Sequence, residues 1–330
     1  MGLDQYVNTF GAVCKAKYGA RVKKLTIDAK FTCPNRDGTL GRGGCTFCNV
    51  ASFSHEMGSP LTISQQLAQG KASLQDKRAR KVGSAKGISD KYIAYFQAYT
   101  STYDEYQLLK QRYDEAIMDA DIVGLSVGTR PDCVPDTVLD LLLDYQQQGL
   151  DVWLELGLQT ANDVTLKRIN RGHDFAVYLD TVTRARRRGL KVCTHLILGL
   201  PGEEHSDYMH TLDKVLQAGV DGLKIHPLHV VEGSTMAKAL RAGRMSLLTL
   251  EDYATSVGEM IRTIPAEVIL HRVTAYAKKP MLLGPDWCQF RWNGLVAIVD
   301  NLRQFGGQGC HTARPFITDC NLDSEICSQK

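Results

Sequence analysis

Three times in the middle of the chain a polar-faced helical stretch runs into a glycine and then into a short apolar segment. Residues 135–148 end at Gly149, 175–188 at Gly189 and 203–218 at Gly219. A glycine just past the last turn lets the backbone leave a helix in a left-handed conformation that a Cβ would oppose. Apolar, strand-like segments fall at residues 92–98, 122–127, 152–158, 192–198, 222–226 and, with a weaker pattern, 267–272, roughly 25–45 residues apart, the length of a βα unit. An earlier segment, 21–30, alternates polar and apolar at Val22, Leu25, Ile27 and Ala29. Helix, glycine, strand in repetition predicts parallel βα architecture with right-handed crossovers and ligands at the C-terminal ends of the strands.

About six units carry the full pattern, so the expected fold is α/β, an incomplete parallel (β/α)6 TIM-like barrel with a C-terminal helical extension. The expected division is a helical lead-in at 1–20, the partial barrel at 21–245 and the extension at 246–330, with helices near 249–262 and 292–304. A further helix is expected from Ser59-Pro60 to about residue 75.

The most reactive stretch, CPNRDGTLGRGGCTFC, hangs from the end of the first strand. It holds Cys33, Cys45 and Cys48 together with Gly38, Gly41, Gly43 and Gly44. Three cysteines in the order C-x11-C-x2-C can hold a metal centre, and the glycines let the backbone wrap around it. A structural zinc is normally closed by four protein ligands, which here would require Cys14 or His55. A [4Fe-4S] cluster on three cysteines leaves one iron open to something other than protein.

The other cysteines do not form a disulfide framework, being scattered through a 330-residue chain with ten in all. Cys193 lies inside an apolar strand and reads as a small buried hydrophobe, whereas Cys310, Cys320 and Cys327 fit no zinc spacing. The formal charge of +3 is too small to imply a polyanion partner by itself. The N-terminal MGLDQYVNTF lacks a basic region followed by an apolar core, and no apolar run approaches the ~18 residues that span a bilayer. A cytoplasmic protein with no membrane partner is expected.

Read together, the strand-end motifs resemble the radical S-adenosylmethionine (SAM) superfamily, within it the branch of the Elongator catalytic subunit, and most of all the YhcC/YtqA-type proteins. They are the cysteine loop, SVGTRPDC at 126–133, ELGLQT at 155–160, INRGHD at 169–174, LILGLPGE at 196–203 and KIHPLHVVEGS at 224–234. The resemblance implies that Cys33, Cys45 and Cys48 ligate a [4Fe-4S] cluster, that SAM takes the open iron, and that one electron cleaves it to methionine and a 5′-deoxyadenosyl radical. It implies a reducing partner such as flavodoxin or ferredoxin. In related coproporphyrinogen dehydrogenases a Gln and an Arg twelve residues later hold the ribose and the methionine carboxylate, and the same interval here joins Gln159 to Arg171, with Arg168 a competing fork. Gly199, Leu200 and Pro201 would shape the backbone around the adenine, with His195 near the same strand end. One departure is Gly128, which stands where the Elongator-type enzymes carry Glu before T-R-P-D. Arg130 is expected to pair with Asp132 or another acid.

The substrate implied by the resemblance is tRNA, attacked at the C5 side chain of a wobble uridine. Two basic runs bear on it: Lys71, Lys77, Arg78, Arg80, Lys81, Lys86 and Lys91, followed by Tyr92, Tyr95, Tyr99, Tyr103 and Tyr106, and then Arg184, Arg186, Arg187 and Arg188. Basic groups grip phosphates and aromatics stack on unpaired bases, but the same residues serve equally as solvated helix faces and core tyrosines. The alternatives are radical chemistry on a small metabolite or peptide, and a zinc-stabilised, non-catalytic RNA-binding module.

Overall fold

The computed structural model describes residues 2–49, 52, 58–79 and 90–311. Its centre is a curled, all-parallel sheet in the order β1-β2-β3-β4-β5-β6-β8, strands adding in chain order with β7 left out. The strands are β1 (Val22–Ile27), β2 (Lys91–Phe96), β3 (Ile122–Thr129), β4 (Asp151–Gln159), β5 (Lys191–Leu198), β6 (Gly222–Pro227) and β8 (Ile269–Arg272); β7 (Val230–Val231) and β9 (Leu282–Gly284) form a separate antiparallel pair. Helices α3 (Ile63–Ala79), α4 (Tyr106–Ile117), α5 (Asp136–Gln147), α7 (Phe175–Arg187) and α8 (His205–Gln217) connect successive strands. The sheet stays open between β1 and β8, which makes it an incomplete barrel.

The weakly patterned segment at 267–272 belongs to this sheet rather than to an extension. It pairs with β6 through Gly222↔Ile269 and Leu223↔Leu270, giving seven parallel strands where six units were expected. Its pattern is weak because Val268, Ile269 and Leu270 run together without alternation and two charged or polar residues, His271 and Arg272, follow. His271 is buried against the ring of Trp153 on β4, at 4.3 Å, inside the barrel.

The helix ends follow the glycines: Gly149, Gly189 and Gly219 have φ of 95°, 72° and 77°. Strand β4 is buried at every residue but Gln159, because helices cover one side of the sheet and the barrel interior fills the other. A continuous core therefore runs from Ile27 and Phe96 through Leu125, Leu154 and Val192 to Leu223 and Leu270.

The lead-in does structural work. Helix α1 (Phe10–Tyr18), capped by Thr9 Oγ1 accepting from Ala12 N at 3.2 Å, plugs the end of the barrel where the strands begin. Phe10 lies 4.3 Å from the His271 ring and 5.9 Å from Trp153, centroid to centroid. After β6 come α9 (Thr235–Arg241), α10 (Leu250–Thr263) and α11 (Asn293–Phe305). The last two pack on each other beside β8, tied by Arg262 Nη1 donating to Asn301 Oδ1 at 2.9 Å. Among the described residues no helix is long and apolar enough to cross a membrane. Short helices α2 (Pro34–Asp37) and α6 (Asp163–Arg168) lie at the opposite end of the barrel, where the strands finish.

Candidate functional site

The cysteine loop leaves β1 and turns at once. Cys33 caps α2, its carbonyl accepting from Arg36 N at 2.8 Å and Asp37 N at 3.1 Å. The chain then doubles back, Gly44 N donating to Asn35 O at 2.8 Å, and Cys45 and Cys48 close a tight turn through Cys48 N to Cys45 O at 3.0 Å. The INRGHD segment is sewn to this loop: Thr46 N donates to Ile169 O at 3.0 Å, Asn170 Nδ2 to Gly44 O at 2.8 Å, and buried Asn35 Nδ2 to Asn170 O at 2.6 Å. Two motifs more than a hundred residues apart thus form one rigid unit.

Three arginines surround the thiols. Buried Arg171 donates Nε (3.1 Å) and Nη2 to Gly157 O, and its Nη1 reaches Cys45 Sγ at 3.4 Å, with Asn35 Nδ2 3.7 Å from the same sulfur. Arg36 donates Nη2 to Cys48 O at 3.0 Å. Arg130 forms the expected pair with Asp132 at 3.0 and 2.8 Å. Its Nη1 and the Nε of Arg36 are buried without a partner. Burial, and next the charge of Cys45, push the Cys48 thiol up to about 11.

Cys33, Cys45 and Cys48 are all free of disulfides, and among the described residues no three His, Cys, Asp or Glu side chains stand as a closed metal-ligand group. The donor set nonetheless suits an anionic metal centre. Thiolates need a compensating charge when buried, and here guanidinium N–H groups already point at one sulfur while two more are orphaned beside the loop. The fourth zinc ligand does not come from Cys14, which is buried on α1 near Asp151 and Lys191, where strands β4 and β5 begin, at the far end of the barrel. His55 lies outside the described residues.

Gln159 ends β4 with φ 84° and lines a small cleft with Leu196, Ile197, Leu198, Glu203 and Tyr208. Its side chain and that of Arg171 converge over Gly157: a Cβ there would lie 2.8 Å from Arg171 Nη2 and 2.9 Å from Gln159 Nε2. Gly199, with φ 89°, donates its N–H to Tyr208 Oη at 3.1 Å. Thr160 Oγ1 donates to Glu203 Oε1 at 2.6 Å, and Arg168 Nη1 donates to Pro201 O, so both hold the LPGE loop. The structure thereby brings Cys45, Arg171 and Gln159 together, sets Gly199 at the neighbouring strand end, and places His195 lower, inside the barrel.

His195 belongs to a buried network that sequence reasoning did not foresee. Fully buried Glu155 accepts from Ser126 Oγ at 2.5 Å, from His195 Nε2 at 2.8 Å, and from the Nζ groups of Lys24 and Lys224. Lys224 Nζ also donates to Tyr95 Oη at 2.9 Å, and Lys24 Nζ lies 3.2 Å from His271 Nδ1. Burial pushes the Glu155 carboxyl up, but Lys224, Lys24 and then His195 outweigh it and hold the group well below the usual carboxylate range. Burial, then Lys224, lower His195 to about 4, so it donates as a neutral ring. Lys224 falls to about 8 through burial, against the pull of Glu155. Inward-facing Lys24 in the alternating first strand, and Glu155 within a quoted motif, were the available signals.

Much of the basic surface is internally paired. Lys71 binds Asp119 at 2.5 Å and Asp121 at 3.1 Å; Arg184 binds Asp180 and Asp136 at 2.7 and 3.0 Å; Arg188 binds Asp140 at 2.7 Å. Tyr92 and Tyr95 are core residues, and Tyr106 is exposed. Arg187 is exposed on α7. The side chains of Lys77, Arg78, Arg80, Lys81 and Lys86, and Cys320 and Cys327 in the tail, lie outside the described residues. Cys310 is free and exposed.

A solved structure, the archaeal Methanocaldococcus infernus Elp3 with an N-terminal deletion, shares the fold at a TM-score of 0.61 and 16% identity, over 86% of this chain and 63% of that one. Protein YhcC of Escherichia coli (strain K12) is 55% identical over 96% of this chain and 99% of its own length. Protein YtqA of Bacillus subtilis (strain 168) is 37% identical over 92% and 91%. The tRNA uridine(34) acetyltransferase of Dehalococcoides mccartyi (strain CBDB1) is 28% identical over 46% of this chain and 33% of its own length. The model of the radical SAM C-terminal domain matches residues 220–304, and that of the radical SAM superfamily matches residues 37–215, beginning just after Cys33. With more than half of its residues inside the latter, the chain belongs to the radical SAM superfamily.

Proposed function

We propose that Cys33, Cys45 and Cys48 ligate the [4Fe-4S] cluster that the family implies, that Gln159, Arg171 and the Gly199 backbone hold SAM, and that the enzyme modifies the C5 side chain of a wobble uridine in tRNA. The observation that carries the site is Arg171 bridging Gly157 O and Cys45 Sγ, which fixes the cysteine loop against the end of β4. When bound together, cluster and SAM supply one-electron cleavage of SAM to methionine and a 5′-deoxyadenosyl radical, the electron coming from a cytoplasmic flavodoxin- or ferredoxin-type donor.

The chain's own residues position and shield. Arg171 uses three of its N–H groups internally and keeps two of five for a carboxylate. Gln159 and Arg171 lean together over the side-chain-free surface of Gly157, so their amide and guanidinium groups are held side by side for the ribose and the methionine carboxylate. Thr160, Glu203 and Arg168 lock the LPGE loop against the next strand end. Below, α1 and Trp153 close the barrel to water.

The tRNA part of this reading is supported by the partial similarity to a tRNA uridine(34) acetyltransferase and by exposed Arg187. The second reading, radical chemistry on a small metabolite, is favoured by the ion pairs that occupy Arg184 and Arg188 and by the charged barrel interior. Anaerobic purification with iron and sulfide analysis, then dithionite and SAM with assay for 5′-deoxyadenosine, tests the chemistry. About four irons per chain and SAM cleavage are expected; colourless protein with stoichiometric zinc overturns it. A salt-dependent shift of tRNA on a gel is expected for the RNA reading, and its absence returns the enzyme to a small substrate.

A further inference from the structure

Inside the barrel, positive charge outnumbers negative. Lys24 and Lys224 share one carboxylate, Glu155, which they neutralise between them, and Arg272 stands beside Lys224. Arg272 is the group left over. The β6–β8 ladder skips His271 and brings Arg272 directly beside inward-pointing Lys224. Lys224 points inward to Glu155, so its register partner Arg272 stands on the lumen side of β8. Among the described residues it makes no ion pair or hydrogen bond, and it is exposed to the mouth of the barrel. His226 stands next to it with its ring 5.8 Å from that of His195 and no hydrogen bond to protein among the described residues.

A cation set beside a buried lysine at the mouth of the barrel is relieved of repulsion when an anion joins it, and a planar fork with no internal acceptor suits a carboxylate or a phosphate. We propose that the lumen binds an anionic group of the substrate, seated on Arg272 and His226 where β6 and β8 end, with the Glu155–Lys24–Lys224 cluster as a rigid floor. This rests on the radical reading only in calling the anion part of the substrate.

Thermal-shift titration of the full-length chain with inorganic phosphate and, separately, acetate, at ionic strength held constant with chloride, tests the site. One of the two anions is expected to stabilise saturably, phosphate marking a phosphorylated substrate and acetate a carboxylate. Arg272→Gln should weaken that binding by about tenfold, the weight of one charge-assisted contact, and Arg272→Lys should recover part of it. Absence of saturation with both anions, or an Arg272→Gln chain titrating like wild type, overturns the proposal. Iron content reads the radical chemistry separately: a chain that binds the anion but holds no iron sinks the radical assignment and keeps the anion site, whereas an iron-loaded chain blind to both anions does the reverse.

Discussion

Cys45 and Cys193 are both buried thiols, yet their neighbours give them different work. Cys45 receives N–H groups from Arg171 and Asn35, whereas burial pushes the Cys193 thiol far up, leaving it a neutral space-filler. Cys45→Ala should take iron from about four per chain to near zero, seen by metal analysis and loss of visible absorption. Cys193→Ala should keep the iron and lower the unfolding free energy by ~1–2 kcal/mol in denaturant titration, the cost of a small cavity. Gly157 makes the complementary case. An added Cβ collides with the side chains of both Arg171 and Gln159, so Gly157→Ala should weaken SAM binding by about tenfold or more in calorimetry. Gly149→Ala is the control: its φ of 95° strains any side chain by ~1 kcal/mol, but nothing stands within 4 Å, and SAM affinity should not move.

Helix α7 shows why a basic run in a sequence is a poor guide to partners. Arg184 and Arg188 fall on the side facing α5 and meet its acids, whereas Arg187 turns outward. If α7 touches RNA, Arg187→Ala should lower the slope of log affinity against log salt by about one, in tRNA binding measured across a salt series; an unchanged slope removes α7 from the RNA surface. Strand β8 shows the converse. Its inward groups are His271 and Arg272, so it carries no apolar alternation and reads as doubtful, although its hydrogen bonds to β6 are those of any other strand. Helix α1 reads as a lead-in because nothing in its sequence announces that Phe10 stacks on a histidine some 260 residues away.

The molecule as a whole carries several histidines that burial keeps neutral. His195, faced by Glu155, Lys224, His226 and Arg272, is lowered to about 4, and His229 likewise. An unfolded chain protonates them near 6.5, so between about pH 6.5 and 4 the unfolded state binds more protons and stability falls as pH falls. Glu155 adds nothing between pH 7 and 5, because its folded value is depressed: its contribution is full above the unfolded value of 4.5 and is lost only below it. Denaturant midpoints should therefore decline from pH 7 to 5, and a His195→Gln chain should show a shallower decline. Equal slopes for the two chains would mean that His195 is not the neutral donor on Glu155 described above.

Local chemistry was enough to announce the parallel βα order, the glycine-ended helices and the three-cysteine loop, because strand hydrophobicity, left-handed turns and thiol spacing are properties of neighbouring residues. The place of the 267–272 strand in the barrel sheet, the arginine shell around the thiols and the Glu155 network were not announced. Lys24, Glu155, Lys224 and Arg272 sit on four different strands, each with an ordinary look in its own segment. A charge becomes part of a site only when the closing sheet sets it in a low-dielectric interior against partners 69 and 131 residues away along the chain.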